Sequence, residues 1–232
     1  MSNPWQEVPG APGISRAAYS VPGTTPFSTL VDLGNASYLV YSPGPQLEST
    51  LPASIAENSR LLLLAPCTGH NLGLEPWLQR FADATAFAPG GVKERLEKKK
   101  RDTSALRPIE ELAELLPSHV KLHVLPENKF HEVWISIEME NRTYWLFGDA
   151  ILNFDTLDVN FIMKFLLGVY GIREGLNLHK MFLRGLKDKA AFRTWGLALF
   201  DNDRKHILLP CHRETYDSAD CGQRIVSLLN KL

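Results

Sequence analysis

The chain has 232 residues, 44% of them hydrophobic and 22% charged, with a net charge of −1. This is the composition of a globular protein with enough apolar side chains for a sizeable core, and it excludes a global electrostatic pull toward nucleic acid or an anionic membrane. The longest apolar runs, 61–67 and 161–171, are too short or too interrupted to cross a bilayer.

Residues 1–27 are rich in Pro, Gly and Ser and read as an irregular N-terminal arm, leaving 28–232 as one domain. The opening MSNPWQEVPGAPG lacks a basic stretch followed by an apolar one, so no secretory signal is expected. Residues 29–34 and 36–45 read as two strands joined at Gly34-Asn35, the second ended by Ser-Pro-Gly-Pro. A short helix is expected over 49–58. The run 60–66 (RLLLLAP) is continuous and apolar, which suits a strand buried on both faces. Residues 75–83 read as a helix, and 85–91 as a strand running into a glycine turn.

The stretch 92–102 mixes bases with acids and reads as the solvated face of a helix, with Glu94 and Lys98 one turn apart. No nucleic-acid partner is expected from it. A short helix follows over 109–116. Three strands are predicted next, 120–125, 132–139 and 143–148, with Val133, Ile135, Ile137 and Met139 alternating and Glu140-Asn141-Arg142 as a hairpin turn. Residues 159–195 read as mainly helical, broken by glycines. The last strands are predicted at 197–200 and 205–210, before a C-terminal helix over 218–232. The three cysteines, Cys67, Cys211 and Cys221, are an odd number in a chain of this size. They argue against a disulfide framework and for a reducing, cytoplasmic setting.

Four residues stand out: His70, His131, Asp149 and His212, each beside a segment that reads as a strand. Three imidazoles and a carboxylate at strand ends can converge on one sheet edge, and such donors suit zinc, iron or manganese. His119, His123, His179 and His206 read as surface or structural histidines, and Trp77, Trp134, Trp145 and Trp195 as core aromatics. Cys67 with a nearby histidine has the residue types of a thiol nucleophile, but no motif supports that use.

The order of elements over 28–230 resembles the metallo-β-lactamase superfamily. The stretch 65–75 (APCTGHNLGLE) stands where that family has its HxHxDHxGG signature, 130–134 (FHEVW) where it has its next histidine, Phe147-Gly148-Asp149 where it has its bridging aspartate, and 209–214 (LPCHRE) where it has its last histidine. The resemblance implies an α/β fold, the metallo-β-lactamase-like αβ/βα sandwich of four layers, with metal at the strand ends. It is incomplete: Ala65 and Cys67 replace two histidine ligands, and Gly69 replaces the aspartate of the second metal. What survives implies one zinc, iron or manganese ion on His70, Asp149 and His212, with Cys67 a less favoured donor. Asp149 and His131 are then the catalytic residues, His131 serving as the base. The implied function is a metallo-hydrolase-like protein with a reduced, mononuclear site acting on a small molecule. The alternative is a degenerate relative without metal that binds a small molecule or a protein partner.

Overall fold

The computed structural model describes residues 3–22, 24–57, 59–154, 164, 168, 173–200 and 203–232. It divides into two compact units, Met1–Lys121 and Leu122–Leu232. The prediction for 28–232 did not include this division.

The first unit is built on a seven-stranded sheet whose strands lie in chain order: β1 (Gln6–Glu7), β2 (Ile14–Ala18), β3 (Phe27–Gly34), β4 (Ser37–Tyr41), β5 (Arg60–Leu64), β6 (Thr85–Ala88) and β7 (Leu106–Pro108). β1 to β4 pair antiparallel, whereas β4 to β7 pair parallel. Parallel neighbours need crossovers, which here carry α1 (Ala53–Ala56), α2 (Leu74–Arg80) and α3 (Gly90–Lys98); α4 (Ile109–Leu115) comes after β7. The β3–β4 turn takes φ of 50° at Asn35 and 54° at Ala36. Two successive positive φ values match the twist of a tight hairpin.

Leu61 to Leu64 are all buried, as a strand covered on both faces requires. Each contributes about 1.5–3 kcal/mol of apolar burial. Leu61 and Leu63 join a core with Leu30, Val40, Val92, Leu96 and the fully buried Trp77. The Trp77 indole N–H is satisfied by the Gly44 carbonyl at 2.8 Å.

The expected irregular arm over 1–27 is corrected. Trp5, Val8, Ala11, Ile14 and Ala17 are buried, and β1 and β2 extend the sheet. The density of Pro and Gly hid an apolar set large enough to hold two strands. The glycine turn after β6 is also corrected, because Gly90 opens α3 behind Pro89.

The second unit holds a five-stranded sheet, ordered β14-β13-β10-β9-β8. Its strands are β8 (Val120–Val124, starting at the boundary), β9 (Val133–Met139), β10 (Arg142–Phe147), β13 (Lys205–Pro210) and β14 (Tyr216–Asp217). A separate antiparallel ribbon pairs β11 (Ile151–Phe154) with β12 (Gly175–Leu178). Helices α5 (Lys180–Gly185), α6 (Lys189–Phe200) and α7 (Cys221–Leu229) complete it. Its core is aromatic: Trp134 meets Phe147 edge-on at 4.5 Å and Trp145 packs on Phe200 at 4.6 Å.

Two expectations fail here. Residues 197–200 are the last turn of α6, not a strand, since Phe192, Gly196 and Phe200 form one buried helical stripe. Residues 175–178 are β12, not helix; the part of that prediction over 159–163, 165–167 and 169–172 lies outside the described residues, and 180–185 and 189–195 are helical as expected. No helix among the described residues is long and apolar enough to cross a membrane.

Packing in the first unit yields a paired prediction. A Cβ on Gly73 would stand 2.2 Å from the Pro43 carbonyl oxygen, while one on Gly90 would meet nothing within 4 Å. Gly73→Ala is therefore expected to destabilise by about 1–3 kcal/mol, and Gly90→Ala to be neutral or stabilising by up to about 1 kcal/mol. Denaturant unfolding checks this, and equal stabilities of the two variants would contradict it.

Candidate functional site

In the second unit β10 and β13 run parallel, from Arg142 beside Lys205 to Phe147 beside Pro210. Parallel pairing brings the C-terminal ends of both strands to the same edge. Asp149 and His212 meet there, with Oδ1 of the carboxylate 3.0 Å from Nε2 of the imidazole. Both side chains are partly exposed, at 19% and 21%. The edge is thus reachable from solvent, and it offers one carboxylate and one imidazole in register.

A second carboxylate-bearing residue holds this turn. Glu132 is 1% exposed, just before β9. Its Oε1 accepts the Gly148 N–H at 3.1 Å and the Ala150 N–H at 3.2 Å, and its Oε2 accepts the Asp149 N–H at 2.8 Å. The Trp134 indole donates to Oε1 at 2.8 Å, which ties the aromatic core to the same group. Burial, reinforced by the Asp149 charge, pushes the Glu132 carboxyl up to about 7, although the hydrogen bonds from Asp149, Trp134 and Ala150 pull the other way. Sequence reading passed over Glu132 because an acid next to a strand reads as a solvated residue.

His179 was also missed. The β11–β12 pairing sets Leu178 opposite Ile151, and the His179 N–H donates to the Ala150 carbonyl at 3.0 Å. Burial lowers the His179 imidazole below the usual histidine range; the Asp149 charge and a hydrogen bond to the Asp149 backbone oppose this, and His212 adds to it. Its Nδ1 is buried with no hydrogen-bond partner among the described residues. The reading of this stretch as helix concealed the return strand that delivers His179 to this edge. His131 stands in the left-handed region at φ 51° and is exposed. It makes no hydrogen bond or ion pair with Asp149 or His212 among the described residues.

In the first unit His70 is 4% exposed. Its Nδ1 lies 2.9 Å from Ser42 Oγ and 3.4 Å from Tyr19 OH, and those hydroxyls lie 3.2 Å apart. Ser42 adopts φ 57° at the end of β4, and its carbonyl accepts from Ser28 Oγ at 2.6 Å. A hydrogen-bond partner on one ring nitrogen is the usual way a metal-binding histidine is oriented. The Cys67 sulfur lies within 4.8 Å of a His70 ring nitrogen. It accepts the Gly69 N–H at 3.4 Å, and Cys67 is fully buried. Cys211 is buried too, and its N–H donates to the Phe147 carbonyl at 2.8 Å.

The buried Glu132 gives a signed expectation for protein freed of metal. Its carboxyl sits near 7 when folded, against the ordinary 4.5. The folded state therefore binds the proton more tightly, so this group's contribution falls as pH rises from about 4.5 to about 7, by about 3 kcal/mol at most. Glu132→Gln should remove that slope. It should also cost about 1–3 kcal/mol at low pH, because an amide NH₂ must face a backbone N–H. Unfolding free energies across this range test it, and parallel curves for the two proteins would refute it.

No protein-family model matches the chain. No curated protein matches its sequence either. Solved structures do match. DIM-1 metallo-beta-lactamase is similar with a TM-score of 0.62 at 12% identity, covering 98% of this chain and 96% of its own. A metallo-beta-lactamase from Pontibacter korlensis gives 0.57 at 9%, covering 98% and 99%. FIM-1 from Pseudomonas aeruginosa, in its mono-zinc form, gives 0.56 at 8%, covering 98% and 94%. At these identities the likeness is one of backbone, and the chain has the metallo-β-lactamase fold.

Proposed function

We propose that this protein is a metal-dependent hydrolase-like protein with a single metal ion held by His70, Asp149 and His212. The observation that carries the reading is the Asp149–His212 pair, 3.0 Å apart at the ends of two parallel strands and open to solvent. Two imidazoles and one carboxylate fit zinc, iron or manganese and leave positions open for substrate. His70 supports the reading through its hydroxyl-anchored Nδ1. Its place in the set rests on the order of the residues along the chain. The mono-zinc form of FIM-1 shows that a structure with this fold can hold one zinc.

When bound, such an ion supplies Lewis acidity toward a carbonyl or phosphoryl oxygen and acidifies water. The chain's own residues do the rest. Glu132 fixes the Asp149 turn through three backbone N–H groups. Asp149 orients water with its carboxylate. His131 is assigned the proton-accepting role by its position in the chain. The substrate is a small molecule, and no membrane or nucleic-acid partner is invoked.

A second reading, a metal-free binding protein, is favoured by one observation. Ala65 and Gly69 offer no side-chain donor, and the Cys67 sulfur already accepts the Gly69 N–H inside the core.

Metal content of protein purified without chelator separates the two readings. About one ion per chain is expected, with affinity reduced roughly 10- to 100-fold or more in Asp149→Ala and His212→Ala. About two ions per chain would overturn the mononuclear assignment. No uptake after reconstitution with zinc, iron or manganese would leave the binding protein. On a panel of esters, thioesters, lactones and phosphodiesters, activity should vanish in Asp149→Ala and persist in Cys67→Ser. The reverse pattern would replace the metal mechanism with a thiol one.

A further inference from the structure

α3 ends in four consecutive cations, Lys98 to Arg101, all exposed. Bases at a helix C-terminus are favoured by its dipole, which accounts for the run as a whole. It does not account for Lys100. The Lys100 N–H donates to the Glu97 carbonyl at 2.8 Å, and the Arg101 N–H to the Leu96 carbonyl at 3.1 Å. This pair of bonds is a Schellman closure, whose left-handed residue is usually glycine. Lys100 occupies that position at φ 56°. A lysine is thus kept where its backbone is strained and a glycine would not be. Its ammonium makes no hydrogen bond or ion pair among the described residues.

Lys100 lines a cavity of about 420 Å³, formed by α2 and by the segment from Leu96 to Leu106, all within the first unit. That volume suits a small molecule. One wall is aliphatic: Leu78 is half-buried, and Leu74, Leu96 and Leu106 keep 6%, 8% and 7% of their surface. Arg101 lines the same cavity. Its guanidinium reaches the Glu75 carboxylate at 3.5 Å, with the two side chains 53% and 61% exposed. So open an ion pair is weak and readily exchanged. Asp102 lines the cavity too, but its Oδ1 accepts the Ser104 N–H at 2.9 Å and so serves its own loop. An ammonium without a partner and a loosely held guanidinium thus stand beside an aliphatic wall.

We propose that this cavity binds a medium-chain carboxylate, a single anion on an aliphatic body. Lys100 and Arg101 meet the carboxylate, and the alkyl chain lies along the four leucines. The incoming carboxylate replaces Glu75 on Arg101 and supplies a partner to the Lys100 ammonium. Lys98 and Lys99 add to the positive field beside the cavity. A small hydrophilic anion gains nothing from the aliphatic wall, so chain and charge are both required. This site is distinct from the proposed metal set and does not depend on it.

The test is a titration of the full chain with sodium octanoate, read by NMR at the Leu78 and Leu106 amides. A chelator is present, so that no metal-bound carboxylate contributes. Saturable shifts at both amides are expected. Lys100→Gly removes the ammonium and suits φ 56°, so the fold is kept. Its affinity should weaken by about three- to tenfold, whereas Lys100→Arg should stay within about twofold. Ala105→Trp, at an exposed position lining the cavity, fills the space and should weaken binding by about tenfold or more. Octanol should bind at least about threefold more weakly than octanoate, and acetate should not saturate. Absence of saturable shifts, an equal response to acetate, or unchanged affinity in either Lys100→Gly or Ala105→Trp would each overturn the proposal. Sedimentation with phosphatidylglycerol vesicles without octanoate binding would also overturn it, and would assign the basic run to a lipid surface.

Discussion

The second unit depends on a carboxylate placed where a carboxylate is costly. Glu132 is almost wholly buried, yet it collects three consecutive backbone N–H groups and an indole N–H. Those donors belong to a sharp turn that must end β10 and present Asp149 outward. Without an acceptor beneath them, three buried amides would be unpaired, a penalty of several kcal/mol. The same group bonds Trp134, which touches Phe147, Phe192, Trp195 and Phe200. The geometry of the exposed acid and the packing of the aromatic core are therefore set through one side chain. The approach to Glu132 is fixed as well: Asn128 Oδ1 accepts from the Phe130 and Glu132 amides, at 3.1 and 3.2 Å, and forces His131 into a left-handed conformation.

The histidines show how one residue type takes different roles by position. His70 is buried and anchored by two hydroxyls. His212 is partly open and paired with a carboxylate. His206 shares β13 with His212's approach, but its end of the strand lies under α7 and beside Trp145, so it is kept neutral with one nitrogen bonded and the other without a hydrogen-bond partner among the described residues. His123 is held by Ser136 Oγ at 2.8 Å and stacks toward Trp145, which is a structural role. Orientation by a partner on one ring nitrogen is common to His70, His206 and His123. What differs is what the other nitrogen meets.

Under the proposed function, Ala65, Cys67 and Gly69 limit the chemistry open to the site. A buried thiol bonded to its neighbour's amide packs like a small apolar residue. An alanine and a glycine contribute no ligand atoms. The remainder is a poorer donor set in which each imidazole and the carboxylate already have a protein partner. Such a set suits one ion held with open positions, and it suits equally well the retention of a shaped edge after metal use has been lost. Composition of the donor set, not backbone geometry, divides those two outcomes.

Much of the scaffold is legible in the residues. Four consecutive leucines bounded by proline can only be a deeply buried segment, and the Gly34-Asn35 turn and the alternation of 133–139 specify their hairpins locally. The order of His70, Asp149 and His212 along the chain carried enough information to point to the fold. The rest required tertiary contacts. The N-terminal strands escaped notice because their apolar residues are spread among Pro and Gly, and they join the sheet only through pairing of β1 with β2 and of β2 with β3. Residues 197–200 resemble a strand locally but continue a helix whose stripe faces the core. Residues 175–178 become a strand only by pairing with 151–154, and that pairing is what carries His179 to the Asp149 turn. Glu132 and His206 are ordinary polar residues in the sequence; burial alone makes one a brace and leaves the other with an unpaired nitrogen. Local pattern determines which segments are apolar and where turns fall, whereas the environment of a polar group is a property of distant residues, and only the folded structure decides it.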